Sequence, residues 1–308
     1  MLRRSTFGIV FAVCAASAAA EPLQWKFKQG DVFYMEEVMQ QNQVIEVAGQ
    51  TQRKNTTQTT VTRFTIGRVP DDGSVEIQME IVEIREAGDQ QDAAAKALLK
   101  KMQGAAFQIT LDAERQITRF EGYDAFVKRI AGDNKQLAMV FRSILSEESF
   151  RKMVRQTFTI APNRQVQEGD SWTQDLTMSL GPFGNVNLTR RLTHNGTEIP
   201  EGHNQEYVKL DLTGTAKYQV PKGNFPGLPF KITGGNLEFN GIRGGGHFDA
   251  ARGRLVELAV HLNLTGNLAI SVANQQADVT LDQQQTGTIR ILDENPLKET
   301  TEEKPPEE

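Results

Sequence analysis

The chain has 308 residues, 38% of them hydrophobic and 24% charged, with a formal net charge of −5. Such a composition belongs to a folded protein long enough to bury a sizeable core. The acidity is concentrated between Asp293 and Glu308, so the body is nearly neutral, which excludes the clustered basic face of a nucleic-acid binder.

Residues 1–20 read as a signal peptide: Arg3 and Arg4, an apolar run from Phe7 to Ala16, then Ala18-Ala19-Ala20 ahead of Glu21. The run is too short to cross a bilayer as a helix, so no transmembrane span is expected in the mature chain. The one cysteine, Cys14, lies inside this segment, and the Val13 before it is not the small residue that a lipidation site needs. Cleavage after Ala20 leaves no cysteine, hence no disulfide and no thiolate nucleophile, which suits an exported bacterial protein, periplasmic or extracellular.

From Leu23 to Lys28 apolar and polar residues alternate, reading as a strand that runs into a Gly30-Asp31 turn. Val32 to Val47 stays β-prone, Thr56 to Ile66 is a Thr-rich half-exposed strand, and Asp71-Asp72-Gly73 is a turn. After it Val75, Ile77, Met79 and Ile81 share one face. Asp92 is placed to cap a helix over 93–103 that Gly104 stops, and a hairpin follows through Phe107, Ile109, Leu111 and Ile117. The period then changes to 3.6. Tyr123, Phe126, Val127 and Ile130 predict one helix, Leu137, Val140, Phe141 and Ile144 a second, and Phe150, Met153 and Val154 a third with Ser146 as its cap.

The chain starts over at Gly169-Asp170, which is followed at once by Trp172 and a strand through Leu176, Met178 and Leu180. Val186, Leu188 and Leu192 alternate up to an Asn195-Gly196 turn. Val208, Leu210 and Leu212 begin the next strand, with a bend or bulge placed at Gly214. Pro221 to Pro229 is a Pro/Gly loop. The best-defined strand runs from Arg254 to Thr265, with Val256, Leu258, Val260, Leu262 and Leu264 on one side. The last, Asp278 to Leu292, is polar enough to suit a sheet edge.

The chemistry-bearing motifs are thin. Gly244-Gly245-Gly246 lacks both phosphate-loop spacings and reads as a bend or bulge that lets a sheet curve. His247 and Asp249 share a strand face, but His194, His203 and His261 are scattered and complete no metal set. No serine sits in a nucleophile elbow, and Glu36-Glu37, Asp71-Asp72 and Glu147-Glu148 are adjacent pairs that do not converge on one substrate. Catalytic residues, cofactors and metals are therefore not expected.

Trp25 to Phe33 (W-K-F-K-Q-G-D-V-F) and Pro162 to Trp172 (P-N-R-Q-V-Q-E-G-D-S-W) resemble a family of exported bacterial proteins of unassigned function. That resemblance implies no catalytic residue. In architecture alone, the strands and amphipathic helices are similar to periplasmic lipoprotein carriers, in which a curved antiparallel sheet cups helices around an apolar cavity.

The expected fold is mostly β (α+β): large curved antiparallel sheets in two similar halves, 21–120 and 161–292, with a helical segment, 121–160, packed on the concave face and a disordered tail, 293–308. The expected function is that of a non-enzymatic envelope protein holding a lipid or other hydrophobic small molecule against Val208, Leu210, Leu212, Leu258, Val260 and Leu262. The alternatives are an interaction module with a plugged cavity, bound to an envelope protein, and a hydrolase.

Overall fold

A computed structural model describes residues 22–89, 93–179, 183–221, 230–272 and 275–297. The signal segment, Asp92, Leu180, most of the Pro221–Pro229 loop and the end of the acidic tail lie outside these. The first meander comprises β1 (Val32–Val47), β2 (Gln50–Ile66), β3 (Val75–Gly88), α1 (Ala93–Met102), β4 (Ala106–Leu111) and β5 (Ile117–Glu121). Three helices follow: α2 (Tyr123–Ala131), α3 (Lys135–Ile144) and α4 (Glu147–Phe158). The second meander is β6 (Ser171–Ser179), β7 (Asn185–Glu198), β8 (Tyr207–Gln219), β9 (Phe230–Asp249), β10 (Arg254–Val272) and β11 (Gln275–Leu292).

All eleven strands join one antiparallel, curved, unclosed sheet in the order β5-β4-β3-β2-β1-β11-β10-β9-β8-β7-β6. The two meanders meet where β1 pairs with β11, from Tyr34↔Leu292 to Val47↔Val279. The last strand is thus central, not an edge. Its polar character has another cause: Gln43 Nε2 donates to Gln283 Oε1 at 3.0 Å and Gln283 Nε2 to Gln285 Oε1 at 3.1 Å, so inward amides satisfy one another along the sheet.

The edges are β5 and β6, and α4 lies against both. Arg151 Nη2 donates to Ile117 O on β5, and Gln174 Nε2 on β6 to Thr159 O just beyond the helix. The helix thereby occupies, through an arginine, a backbone carbonyl of the β5 edge, where another strand could otherwise pair, while at β6 it is a side chain that is engaged. Its start follows from sequence: Ser146 Oγ accepts from the Ser149 N–H at 3.2 Å, and Glu147 and Glu148 lie in the first turn, favourably placed for the helix dipole.

The two Gly-Asp turns are built alike. Gly30 and Gly169 have φ of +88° and +89°, where a side chain is strained. The Gly30 N–H donates to Ile66 O and the Ile66 N–H to Asp31 O, at 2.9 and 2.8 Å. Gly169, Asp170 and His194 repeat this at 2.8 and 2.9 Å. The segments preceding the turns pair with each other through Leu23 and Arg164.

That first segment is not the strand expected from Leu23 to Lys28; beyond the single bridge it is an extended plug. Trp25 is 1% exposed and its ring lies within 5.6–6.2 Å of Phe27, Phe33, Phe158 and Phe248, the stacked and edge-on geometries that aromatic rings favour. The main core surrounds these rings and takes in Phe64, Phe107, Phe126 and Phe150.

Three further local expectations change. Gly196 sits inside β7 beside a register shift between His194 and Thr197, so no turn breaks the strand there. β10 runs unbroken through Gly266 to Val272. A bulge between Leu255 and Glu257 puts Leu255, not Val256, in the core. The glycine run lies within β9, where a Cβ on Gly244 or Gly246 would come 2.0 Å from Ala259 O or 2.1 Å from Glu257 O. Close backbone approach is what requires glycine there.

Candidate ligand-binding face

The unbroken registers of β1 with β2 and with β11 define which residues share the concave face. One row runs Thr60–Glu37–Ile289–Leu258–Gly246–Leu210, crossing from β2 to β8. Towards the packed end this face meets Phe158, Trp25 and Phe248. Towards the other end it divides into two walls of different chemistry.

The wall formed by β8–β11 is apolar apart from the inward Gln283 and Gln285 of β11. Ile232, Leu237, Leu264 and Leu268 form a second core cluster, apart from the first, with half-buried Tyr218, Phe230, Phe239, Leu262, Ile270 and Leu281 around it. The wall formed by β1 and β2 is polar: Gln41, Gln43, Lys54, Thr56 and Gln58 point inward, and Lys54 Nζ pairs with Glu86 on β3 at 3.4 Å.

The six residues expected to line the site all lie on β8 and β10, but in different surroundings. Leu210, Leu212 and Leu258 are sealed in the main core, with at most 3% of their surface exposed. Val208, Val260 and Leu262 are only half-buried against it. Leu262 also touches the second cluster, so the apolar stripe continues past the expected site toward Leu268 and Ile270. Sequence reasoning missed β9 as a contributor because its glycines and register shifts interrupt the alternation of Ile232, Leu237 and Phe239.

Glu37 and Arg190 face inward without an ion-pair partner among the described residues. Glu37 lies on β1 between Met35 and Met39, and burial raises its carboxyl above the usual range. On β7, Arg190 lies between Leu188 and Leu192, and burial lowers its guanidinium to about 10. α4 separates them: Thr157 Oγ1 lies 4.0 Å from Met35 Sδ, and Arg190 Nη2 donates to Gln156 O at 3.4 Å. The C-terminal turn of α4 thus forms the floor between the two charged groups.

The convex face carries a separate ladder of charge. His247 Nε2 and Nδ1 lie 2.7 and 3.1 Å from Glu198 and Glu257, Lys209 pairs with Glu198 at 2.8 Å, and Arg290 pairs with Glu36. These neighbours hold the sheet's outer rows in register. Among the described residues no three His, Cys, Asp or Glu side chains gather as metal ligands, and no helix is long and apolar enough to cross a membrane.

A surface groove of about 530 Å³ lies between β5 and the first half of α4, bordered by Ile117, Glu147, Arg151 and Arg155. A smaller cleft of about 230 Å³ opens on the convex side near Asn42, Arg243 and His261. The smaller cleft shares Leu262 with the apolar wall, and the larger groove shares none of its residues.

Among solved structures, the chain is similar to lipovitellin, described for its lipid–protein interactions, at 8% identity and a TM-score of 0.42, over 88% of this chain and 26% of that one. The chain therefore spans about a quarter of lipovitellin's length. It is also similar to DynF of the dynemicin biosynthesis pathway of Micromonospora chersina (9% identity, TM-score 0.22, 95% and 96% covered). A third likeness is to an outer-membrane channel of Pseudomonas putida F1 (9%, 0.20, 90% and 98%). No curated protein matches the chain. A family model described as "Family of unknown function (DUF6263)" matches residues 72–201, which include the Pro162–Trp172 motif, and over that central stretch the chain is similar to a family whose function is unassigned.

Proposed function

We propose that the protein is an exported, non-enzymatic envelope protein that holds a lipid or another hydrophobic molecule on the open end of its concave face. The observation that carries this reading is the apolar stripe from Leu262 to Ile270, with Phe230 and Phe239 beside it. It continues beyond the main core, and around its buried Leu264 and Leu268 the side chains of Leu262, Ile270, Phe230 and Phe239 stay half-buried. A small buried apolar cluster bordered by half-buried apolar side chains and rimmed by polar residues is what the lining of a ligand groove presents.

The test is native mass spectrometry of protein purified without detergent, followed by delipidation. Co-purified lipid, with a fall in melting temperature on its removal, is the expected outcome. A protein that carries nothing, takes up no added lipid and melts at the same temperature after delipidation would sink the proposal.

A second reading, an interaction module, is favoured by α3. No residue of that helix is fully buried, and Leu137, Met139 and Ile144 are 41–57% exposed. It would gain support if variants of those three residues lost an envelope partner that lipid-wall variants retained.

A further inference from the structure

We propose that Arg190 binds the acidic headgroup of an anionic amphiphile, a long-chain carboxylate, whose tail lies on the β8–β11 wall. This rests on the hydrophobic-ligand reading above and adds the charge of the ligand to it.

Arg190 is on the inner side of β7, since Val186 and Leu192 on the same alternation are 0% exposed while Thr189 and Arg191 face outward. Its polar contacts among the described residues are both neutral. Nε donates to Gln174 Oε1 at 2.6 Å, and Nη2 reaches Gln156 O at a long 3.4 Å. A guanidinium carries five N–H donors in a planar fork and stays charged at neutral pH even at about 10. Burying that charge without a carboxylate is costly, and the one carboxylate on β6, Asp175, sits on the outward alternation, where it accepts from Thr189 Oγ1.

One row of inward residues joins this group to the apolar wall. Gly214 lies directly opposite Arg190 on β8, and Ile242 of β9 packs over it, so close that a Cβ on Gly214 would be 2.7 Å from Ile242 Cγ2. Beyond Ile242 is half-buried Leu262, where the apolar stripe of the second cluster begins. From Leu262 to Leu268 the strand advances about 20 Å, at ~3.3 Å per residue, which is the scale of a long acyl chain. The polar Gln41–Gln285 row lies further round the sheet, so a carboxylate finds no other unpaired cation along this line among the described residues.

A carboxylate accepting two parallel N–H bonds from Arg190 would meet the charge that Gln174 and Gln156 leave uncompensated. The contact of Arg190 with Gln156 O near the end of α4 also has a purely structural explanation, as a clamp on the helix, and the experiment separates the two.

Displacement of a fluorescent fatty-acid probe is measured with sodium oleate and with oleyl alcohol, both below their aggregation concentrations, on the full chain and on Arg190→Gln. The expected result is that the wild type prefers oleate by about tenfold or more, the scale of a charge-assisted pair. In Arg190→Gln that preference is lost while alcohol binding is kept, and Arg190→Lys, which retains charge but not the fork, falls between. Equal affinity for both ligands in the wild type overturns the assignment of Arg190 and leaves the hydrophobic-ligand reading intact. So does a variant that weakens both equally, which marks the helix clamp. Binding of neither ligand overturns the hydrophobic-ligand reading itself. Because the wild-type comparison stands alone, a variant that fails to fold does not remove the test.

Discussion

The two ends of strand β10 differ in what covers them, not in their pattern. Leu258, near its start, is 2% exposed among Trp25, Phe158 and Phe248. Val272, at its end, is 41% exposed, and between them buried Leu264 and Leu268 are interspersed with half-buried Val260, Leu262 and Ile270. Alternation tells a strand which face is apolar but not which neighbour will arrive to close it. At the packed end the neighbour is a plug that the chain supplies from α4 and from its own first residues. At the other end the apolar residues bury only a small cluster of their own, and the wall opposite is one of glutamines, threonines and a lysine.

The largest effect that would break this contrast lies in the plug. Phe158 is 0% exposed and its ring meets those of Trp25, Phe27 and Phe64. Phe158→Ala should cost about 3–5 kcal/mol in urea unfolding, since a cavity would open among rigid rings. A loss below about 1 kcal/mol would mean that the plug is not packed as described. The equivalent truncation at the open end, Leu268→Ala, should cost less, about 2 kcal/mol, because it removes a smaller side chain from a small cluster whose half-buried neighbours can settle into the space. It should also weaken lipid binding, whereas Phe158→Ala should alter binding only through stability. Equal costs at both ends would abolish the contrast.

Much of this architecture was legible from the sequence, and the failures share a cause. The helices at Tyr123, Lys135 and Glu147 follow from a 3.6 period and a serine cap, both local signals. The correspondence of the Gly-Asp turns was legible because glycine at positive φ leaves a mark in one chain. What escaped was non-local. β11 was read as an edge because of its polar residues, whose partners Gln43 and Gln283 are 240 positions apart. Leu23 to Lys28 alternates like a strand, yet its aromatics plug the core because Phe158 and Phe248 wait there. Arg190 did leave a mark, since the alternation of Val186, Leu188 and Leu192 sets it on the apolar face, but what lies around it there is non-local.

The polar wall offers a subtler test. Burial raises the Glu37 carboxyl above the usual range, so the folded protein holds that proton more tightly than the unfolded chain. The associated stability is present below the ordinary carboxylate range and is lost as pH rises through the raised value. Glu37→Gln removes the titration. The variant should match the wild type in melting temperature at acid pH and exceed it increasingly towards neutrality. A constant offset across pH would show that Glu37 is solvated and that the floor beside α4 is open to water.

Smallest is the ion pair on the same wall. Lys54 and Glu86 meet at 3.4 Å with side chains 40% and 22% exposed, so water and salt screen much of their attraction. Lys54→Met should therefore change stability by less than about 1 kcal/mol, and by still less at high salt. Its value lies in the ligand assay. If the two walls are distinct in function, adding an apolar side chain to the polar one should leave the preference for a carboxylate over an alcohol unchanged, because that preference is set across the sheet at Arg190. A preference that vanished with Lys54 while surviving Arg190→Gln would move the headgroup to the opposite wall, and the tail would then have to cross the concavity to reach Leu268.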